Sequence, residues 1–237
     1  MNKRHSGKYR CIFFDLDHTL WDYEANAKET LHELYAHFNL ESKGVVVFED
    51  LLRQFRSVNL SLWDLYDRGV IGSDDVRKER FKQTLEPFGI CNDDGFCKDL
   101  TDFFMSTCPM KCKLIPQAIE TLEYLIGRYN MTIITNGFDE IQHLKMTAGK
   151  LHPYFDHIIT SQKAGHRKPS KEIFEFALQL NDVTHHEAIM IGDNLVTDIG
   201  GARNASIDAV FFNPEQTHHN VTVDYEINNL QELRRIL

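Results

Sequence analysis

The chain has 237 residues, 42% of them hydrophobic, and a formal charge of −9 at neutral pH. That size suits one globular domain of ordinary core size, or a core with a smaller inserted unit, and the acidic balance argues against a nucleic-acid polymer as a partner. Met1–Arg10 is basic but leads only into the short apolar run Cys11–Phe14, too short for a secretion signal or a membrane span, so a soluble cytoplasmic protein without a membrane partner is expected.

In chain order, the first apolar run reads as a buried strand and ends in Asp15-Leu16-Asp17-His18-Thr19. Strand periodicity starts Asp15 and Asp17 on one face. Two carboxylates that close repel unless a cation lies between them or one keeps its proton. A metal-assisted site at the end of the first strand is the working expectation.

Helix spacing follows over Ala25–Phe38 and Phe48–Tyr66, then from Ser73 to the stop near Pro87-Phe88-Gly89, and from Asp93-Asp94 through Phe104. This long all-helical stretch holds both tryptophans. Trp63 and Tyr66 read first as packing of that unit, and Trp21, Asp22 and Tyr23 as residues at the entrance to the acidic turn.

Beyond Ile115, strands and helices alternate. Pro116 suits the first turn of a helix to about Arg128. Met131–Thr135 is a strand followed by Asn136-Gly137, and a helix spans about Asp139–Lys150. His157–Thr160 is a strand, and Ser170 is placed to cap a helix through Leu180. Ala188–Ile191 is a strand ending in Gly192-Asp193. Val196–Asn204 reads as a helix, Ile207–Phe212 as a strand, Tyr225–Ile227 as an edge strand and Leu230–Leu237 as a last helix. This order predicts an α/β fold, a doubly wound parallel sheet with an inserted all-helical cap. The expected division is 1–21 and 113–237 for the core and 22–112 for the cap.

The five cysteines are odd in number and irregularly spaced, so plain thiols are expected. Cys108 and Cys112 lack the second Cys or His pair of a zinc site. The His185-His186 and His218-His219 pairs likewise have no partner at metal spacing and read as surface residues.

Polar groups therefore gather where strands end: Asp15 and Asp17, Thr135 with Asn136-Gly137, Lys168 in a loop, and Asp193 with Asp198. The motifs Asp15-Leu16-Asp17-His18-Thr19, Ile134-Thr135-Asn136-Gly137, Lys168-Pro169 and Gly192-Asp193-Asn194-Leu195-Val196-Thr197-Asp198 resemble the haloacid dehalogenase-like (HAD) hydrolase superfamily, over nearly the whole chain. The resemblance implies a Rossmann-like core and phosphomonoester hydrolysis through an aspartyl-phosphate. Asp15 is then the nucleophile, ionised at neutral pH. Asp17 is the proton carrier, with a pKa above the ordinary carboxylate value, and Lys168 neutralises charge. Mg²⁺ would be bound by Asp15, Asp193 and the backbone carbonyl of Asp17. Thr19, Thr135, Asn136 and Gly137 are implied as substrate contacts, and Asp198 and Asn194 as supporting residues.

The resemblance leaves several functions open. Asp17 disfavours a 2-haloacid dehalogenase, because a halide leaves without a proton. A phosphonate hydrolase would need a Schiff-base lysine, for which Lys28 is the candidate. A phosphomutase, a phosphoglycolate- or sugar-phosphate phosphatase, and a non-catalytic protein that binds a phosphorylated ligand stay open as well. Thr135-Asn136-Gly137-Phe138, with Glu140 and Gln142, resembles a branch acting on pyrimidine nucleoside 5′-monophosphates. A small phosphorylated metabolite is the expected partner.

Overall fold

The computed structural model describes residues 7–90 and 94–237, so Cys91 and Asp93, the expected start of the fourth helix, lie outside the described residues. The chain forms two compact units, one built from the segments up to Tyr23 and from Cys112 onward, the other from Glu24–Lys111. Among the described residues no helix is long and apolar enough to cross a membrane.

The first unit is organised on a parallel sheet. Its strands are β1 (Cys11–Phe14), β2 (Asn130–Thr135), β3 (His157–Thr160), β4 (Ala188–Gly192), β5 (Asp208–Phe212) and β6 (Tyr225–Ile227), in the spatial order β3-β2-β1-β4-β5-β6. Parallel sheets are covered on both faces, which is why β1 and β4 are apolar and buried at every position rather than alternating. Cys11 and Phe13 join one core layer with Ile134, Phe174, Met190 and Phe211. Phe14 packs edge-on against Phe155, with ring centroids 6.0 Å apart. The register sets Phe14 level with both Ile133 and Ile191, and the Asp15 amide donates to the Ile191 carbonyl at 2.9 Å.

Several helix limits differ from the sequence pattern for local reasons. In the second unit, helices α1 (Tyr23–His37), α2 (Phe48–Asp67), α3 (Ser73–Leu85) and α4 (Asp94–Thr107) follow the expected spacing. In the first unit, α5 spans Ala118–Leu125 and leaves out Pro116, because Gln117 is left-handed with φ of 68°. The next helix, α6 (Asp139–Ala148), stops at Gly149 and the left-handed Lys150. A four-residue helix, α7 (Ser161–Ala164), was not evident from spacing; the Thr160 hydroxyl accepts from the Lys163 amide at its start. Ser170 does precede α8 (Lys171–Leu180), but its hydroxyl pairs with Glu172 instead of capping the backbone. The expected helix from Val196 is a wide π-type turn, Leu195–Gly200, that runs into α9 (Gly201–Asn204). The C-terminal Leu230–Arg235 winds as tight 3₁₀ turns instead of an α-helix.

In the helical unit, Phe55, Phe81 and Phe104 meet with centroids 5.1–5.8 Å apart and form a shared aromatic core. Tyr66 is buried and meets the half-buried Trp63 edge-on at 5.3 Å. Lys28, the Schiff-base candidate, is exposed. Cys11 and Cys108 are buried free thiols and Cys112 is an exposed one, whereas Cys97 is disulfide-bonded, a departure from the expectation of plain thiols.

Phe13 is fully buried at the centre of the sheet. Phe13→Ala removes its ring contacts and leaves a cavity, so the urea-unfolding free energy falls by about 3–5 kcal/mol.

Candidate active site

The strand order reverses at β1, whose neighbours β2 and β4 lie on opposite sides and lead away in opposite directions. A crevice outside the carboxyl ends of the strands forms at such a point in parallel sheets. Asp15 and Asp17 follow β1, Thr135 ends β2 and Asp193 follows β4. The predicted acids are therefore brought together by topology.

Lys168 reaches the same place from the loop after α7. It is only 2% exposed, and its Nζ donates to Asp15 Oδ1 at 2.5 Å and to Asp198 Oδ1 at 2.6 Å. Its backbone is held as firmly: the Asn136 side chain donates to the Lys168 carbonyl at 2.9 Å and accepts from the Lys168 amide at 2.8 Å. Asp198 Oδ2 accepts from the Asn194 amide at 3.0 Å. The Asp198 carboxylate crosses so close to Gly192 that a Cβ there would overlap it. Asn194 also caps the turn that carries Asp198, accepting from the amides of Val196 and Thr197.

Side-chain oxygens of Asp15, Asp193 and Asp198 lie within 4.8 Å of one another. One buried lysine faces three carboxylates, so the cluster carries an excess of negative charge when all are ionised. Burial pushes the Asp15 carboxyl well above the usual range; Lys168 opposes this, and Asp198 and Asp193 add to it. Burial and then Asp198 push Asp193 up to about 7, against Lys168 and the Thr19 hydroxyl. Lys168 is held above its ordinary value, because the attraction of Asp15 and Asp198 outweighs its burial. Without a cation, the shift of Asp15 therefore runs upward, against the direction that favours an ionised nucleophile. The donor set, oxygen only and in excess of its internal cation, fits a hard divalent cation.

Asp17 has a different environment. Its side chain accepts from Lys145 Nζ at 2.6 Å and from Gln142 Nε2 at 2.9 Å. Lys145 is itself buried and lies 4.6 Å from the centroid of the Trp21 ring. Burial raises the Asp17 pKa, but the Lys145 charge and the bonds from Lys145 and Gln142 outweigh it, so the carboxyl falls below its ordinary value. The expected upward shift is reversed in this state. The Asp17 carboxylate also lies outside the three-aspartate group, and of the expected metal contacts it is the backbone carbonyl that Asp17 was expected to contribute.

The remaining predicted residues divide. Thr135 and Asn136 are buried at the end of β2, with Gly137 beside them. Thr19 is fully buried and donates to Asp193 Oδ1 at 3.1 Å, so it supports that acid. The sequence pattern missed Lys145 and the clamp made by the Asn136 side chain, and used Gln142 only as a mark of resemblance. A signal was present: Gln142 and Lys145, at i and i+3, are polar residues on the buried face of α6 next to the apolar Met146.

Residues 12–212 match the family of haloacid dehalogenase-like hydrolases. The chain belongs to that family. It is therefore a hydrolase with an α/β Rossmann-like core and a helical cap. It is 28% identical to the HAD-hydrolase YfnB of Bacillus subtilis over 97% of this chain and 96% of that protein. The crystal structure of YfnB bound to magnesium superposes with a TM-score of 0.86 at 27% identity, covering 97% of this chain and 99% of that one. The pyrimidine 5′-nucleotidases PynA of Streptococcus pneumoniae and YjjG of Escherichia coli are each 28% identical. They match over 95% and 97% of this chain and 93% and 98% of their own lengths.

Lys168→Met leaves Asp15 and Asp198 buried without their cation. Urea unfolding in metal-free buffer should show a loss of about 3–5 kcal/mol. A loss under about 1 kcal/mol would mean that the buried pairs are not what holds these strand ends together.

Proposed function

We propose that the protein is a Mg²⁺-dependent phosphomonoesterase that works through an aspartyl-phosphate on Asp15, with a nucleoside 5′-monophosphate as substrate. The observation that carries this reading is the environment of Asp15: a carboxylate at a strand end, in contact with a buried lysine and converging with two further acids. Dehalogenation needs no proton carrier beside the nucleophile, whereas Asp17 and its two donors form a developed second centre two residues away. The exposed Lys28 speaks against a desolvated Schiff-base lysine. The named activities of PynA and YjjG, together with the Thr135–Gln142 segment, support the nucleotide. In this reading 1–21 and 113–237 are the catalytic core and 22–112 the cap.

Asp15 attacks phosphorus and the bond to the leaving oxygen breaks, its electron pair departing with that oxygen. Asp17 supplies the proton. Asp17 is ionised at rest, so that proton is picked up first, and an arriving phosphomonoester with its second ionisation near pH 6 is a carrier for it. Water then attacks the aspartyl-phosphate, Asp17 takes the water's proton, and phosphate leaves with Asp15 restored. Lys168 stays charged throughout and balances the phosphoryl oxygens, which Thr135 and the Asn136 amide contact. Asp15, Asp193 and the Asp17 carbonyl, with Asp198 and Asn194 in support, would hold Mg²⁺, which would supply further neutralisation of phosphoryl charge.

A panel of nucleoside monophosphates, sugar phosphates and phosphoglycolate, ranked by kcat/KM with and without Mg²⁺, tests the reading. Pyrimidine nucleoside 5′-monophosphates should lead, and chelation should abolish turnover. Asp15→Asn should release no phosphate while keeping the native circular dichroism spectrum, and retained turnover would remove Asp15 as nucleophile.

Cation binding should depend on pH with a definite sign. Asp193 titrates at about 7 without a cation, so below that pH Mg²⁺ has to displace a proton. Asp15 is raised as well, so affinity should fall by at least about tenfold per pH unit below about pH 7. Calorimetric titration between pH 5.5 and 8.5 reads this directly, and a flat profile would contradict it.

A further inference from the structure

Gln142 lies on α6 and contributes no atom to the three-aspartate group, yet it is fully buried and bonded to two residues of the candidate site. Its Nε2 donates to Thr135 Oγ1 at 2.6 Å and to Asp17 Oδ2 at 2.9 Å. An amide nitrogen has two hydrogens, so both are used. The amide is oriented with its nitrogen, not its oxygen, toward Asp17 Oδ2 and Thr135 Oγ1, while the other Asp17 oxygen accepts from Lys145 Nζ at 2.6 Å. The Gln142 carbonyl oxygen is left buried without a hydrogen-bond partner among the described residues, an arrangement that packing alone would not favour.

The consequence falls on Thr135. Its hydroxyl oxygen accepts from Gln142 and, at 3.0 Å, from the Gly137 amide. A hydroxyl has two acceptor positions and one proton. With both positions filled, the Thr135 proton points away from Gln142 and the Gly137 amide, and it has no acceptor among the described residues. Gly137 permits the arrangement, because a Cβ there would overlap the Gln142 amide.

We propose that Gln142 is a positioning residue for the oxyanion subsite: by filling Thr135 as an acceptor, it obliges the Thr135 hydroxyl to act as a donor toward a tetrahedral anion such as a phosphoryl group. The inference rests on the phosphatase reading and deepens it. A threonine without this bond can turn its proton onto a neighbour, and part of its population is then lost for binding. Gln142 removes that freedom before the anion arrives. The same amide tethers Asp17, so the proton carrier and the oxyanion donor share one reference point on α6.

Inorganic phosphate as a competitive inhibitor is the probe, with kcat and KM read on the best substrate of the panel. Gln142→Met keeps the length and removes the donor. It should weaken phosphate inhibition about tenfold, with kcat falling on the order of 10²-fold. Thr135→Val should weaken phosphate to a similar degree. The double variant should bind phosphate within about threefold of the weaker single one, because Gln142 acts through a hydroxyl that Thr135→Val has already removed. Gly137→Ala, which displaces the Gln142 amide from the other side, should repeat the Gln142→Met result and serves if that variant is unstable. Independent, multiplying losses in the double variant would overturn the inference, as would unchanged phosphate inhibition in Gln142→Met and Gly137→Ala. A wild-type protein that hydrolyses no monoester and is blind to phosphate overturns the phosphatase reading and this inference together. A wild type that turns over while the Gln142 variants behave like it overturns this inference alone.

Discussion

The buried ammonium of Lys168 is the constraint on which the arrangement of strand ends depends. A charge removed from water is costly unless it is paired and fully bonded. Here Asp15 and Asp198 both bond to it, and Asn136 holds its backbone from both sides. One lysine in an irregular loop therefore joins the ends of β1 and β2 to the turn after β4. Asp198 can approach only because Gly192 has no side chain, and the turn that carries it is capped by Asn194. The local choices of glycine, asparagine and a wide turn in that segment all follow from delivering one carboxylate to one lysine.

The pairing is incomplete by charge. Asp193 joins Asp15 and Asp198 within 4.8 Å, so three acids share the one ammonium of Lys168. A core selected only for stability would replace such a cluster with apolar side chains. Keeping it costs stability in the free protein and makes the site depend on what it binds. In the proposed reading, that dependence is met by an added divalent cation and a phosphoryl dianion that compensate each other.

Most of the sheet was legible because parallel strands buried on both faces are written as short apolar runs. Ala188–Ile191 and His157–Thr160 agree with β4 and β3 to within a residue. The acids after β1 and β4 were legible for the converse reason, since charge after such a run has no packing purpose, whereas Lys168 lies in a loop and stood out only beside them. What could not be read was set by contacts distant in sequence. Gln142 and Lys145 reach Asp17 across 125 and 128 positions, and on α6 alone they look like breaks in an amphipathic face. The left-handed Gln117 and the π-type turn at Leu195 are backbone responses that no spacing rule anticipates. The Asp17 shift runs opposite to expectation because of Lys145, which helix spacing does not reveal. Mechanism alone asks for a raised pKa, whereas the neighbour that lowers it comes from another element.

Asp15 and Asp17 stand two residues apart, each paired with a buried lysine, yet their ionisation is pushed in opposite directions. Asp15 is buried, shares Lys168 with Asp198 and faces Asp193, so burial and then repulsion outweigh the lysine. Asp17 shares Lys145 with no second carboxylate among the described residues and accepts from Gln142 as well, so attraction wins over burial. Pairs of titratable groups whose surroundings drive them apart are how a site assigns separate roles to chemically identical side chains. In the free protein the assignment is the reverse of what attack by Asp15 requires, because the proposed nucleophile holds its proton more tightly than its neighbour. A divalent cation beside Asp15 and Asp193 opposes the burial and the repulsion that cause this and favours the ionised form of both. The nucleophile would then become available only where the phosphoryl charge can also be balanced, and Asp17, already tethered to α6, keeps its place as that charge arrives.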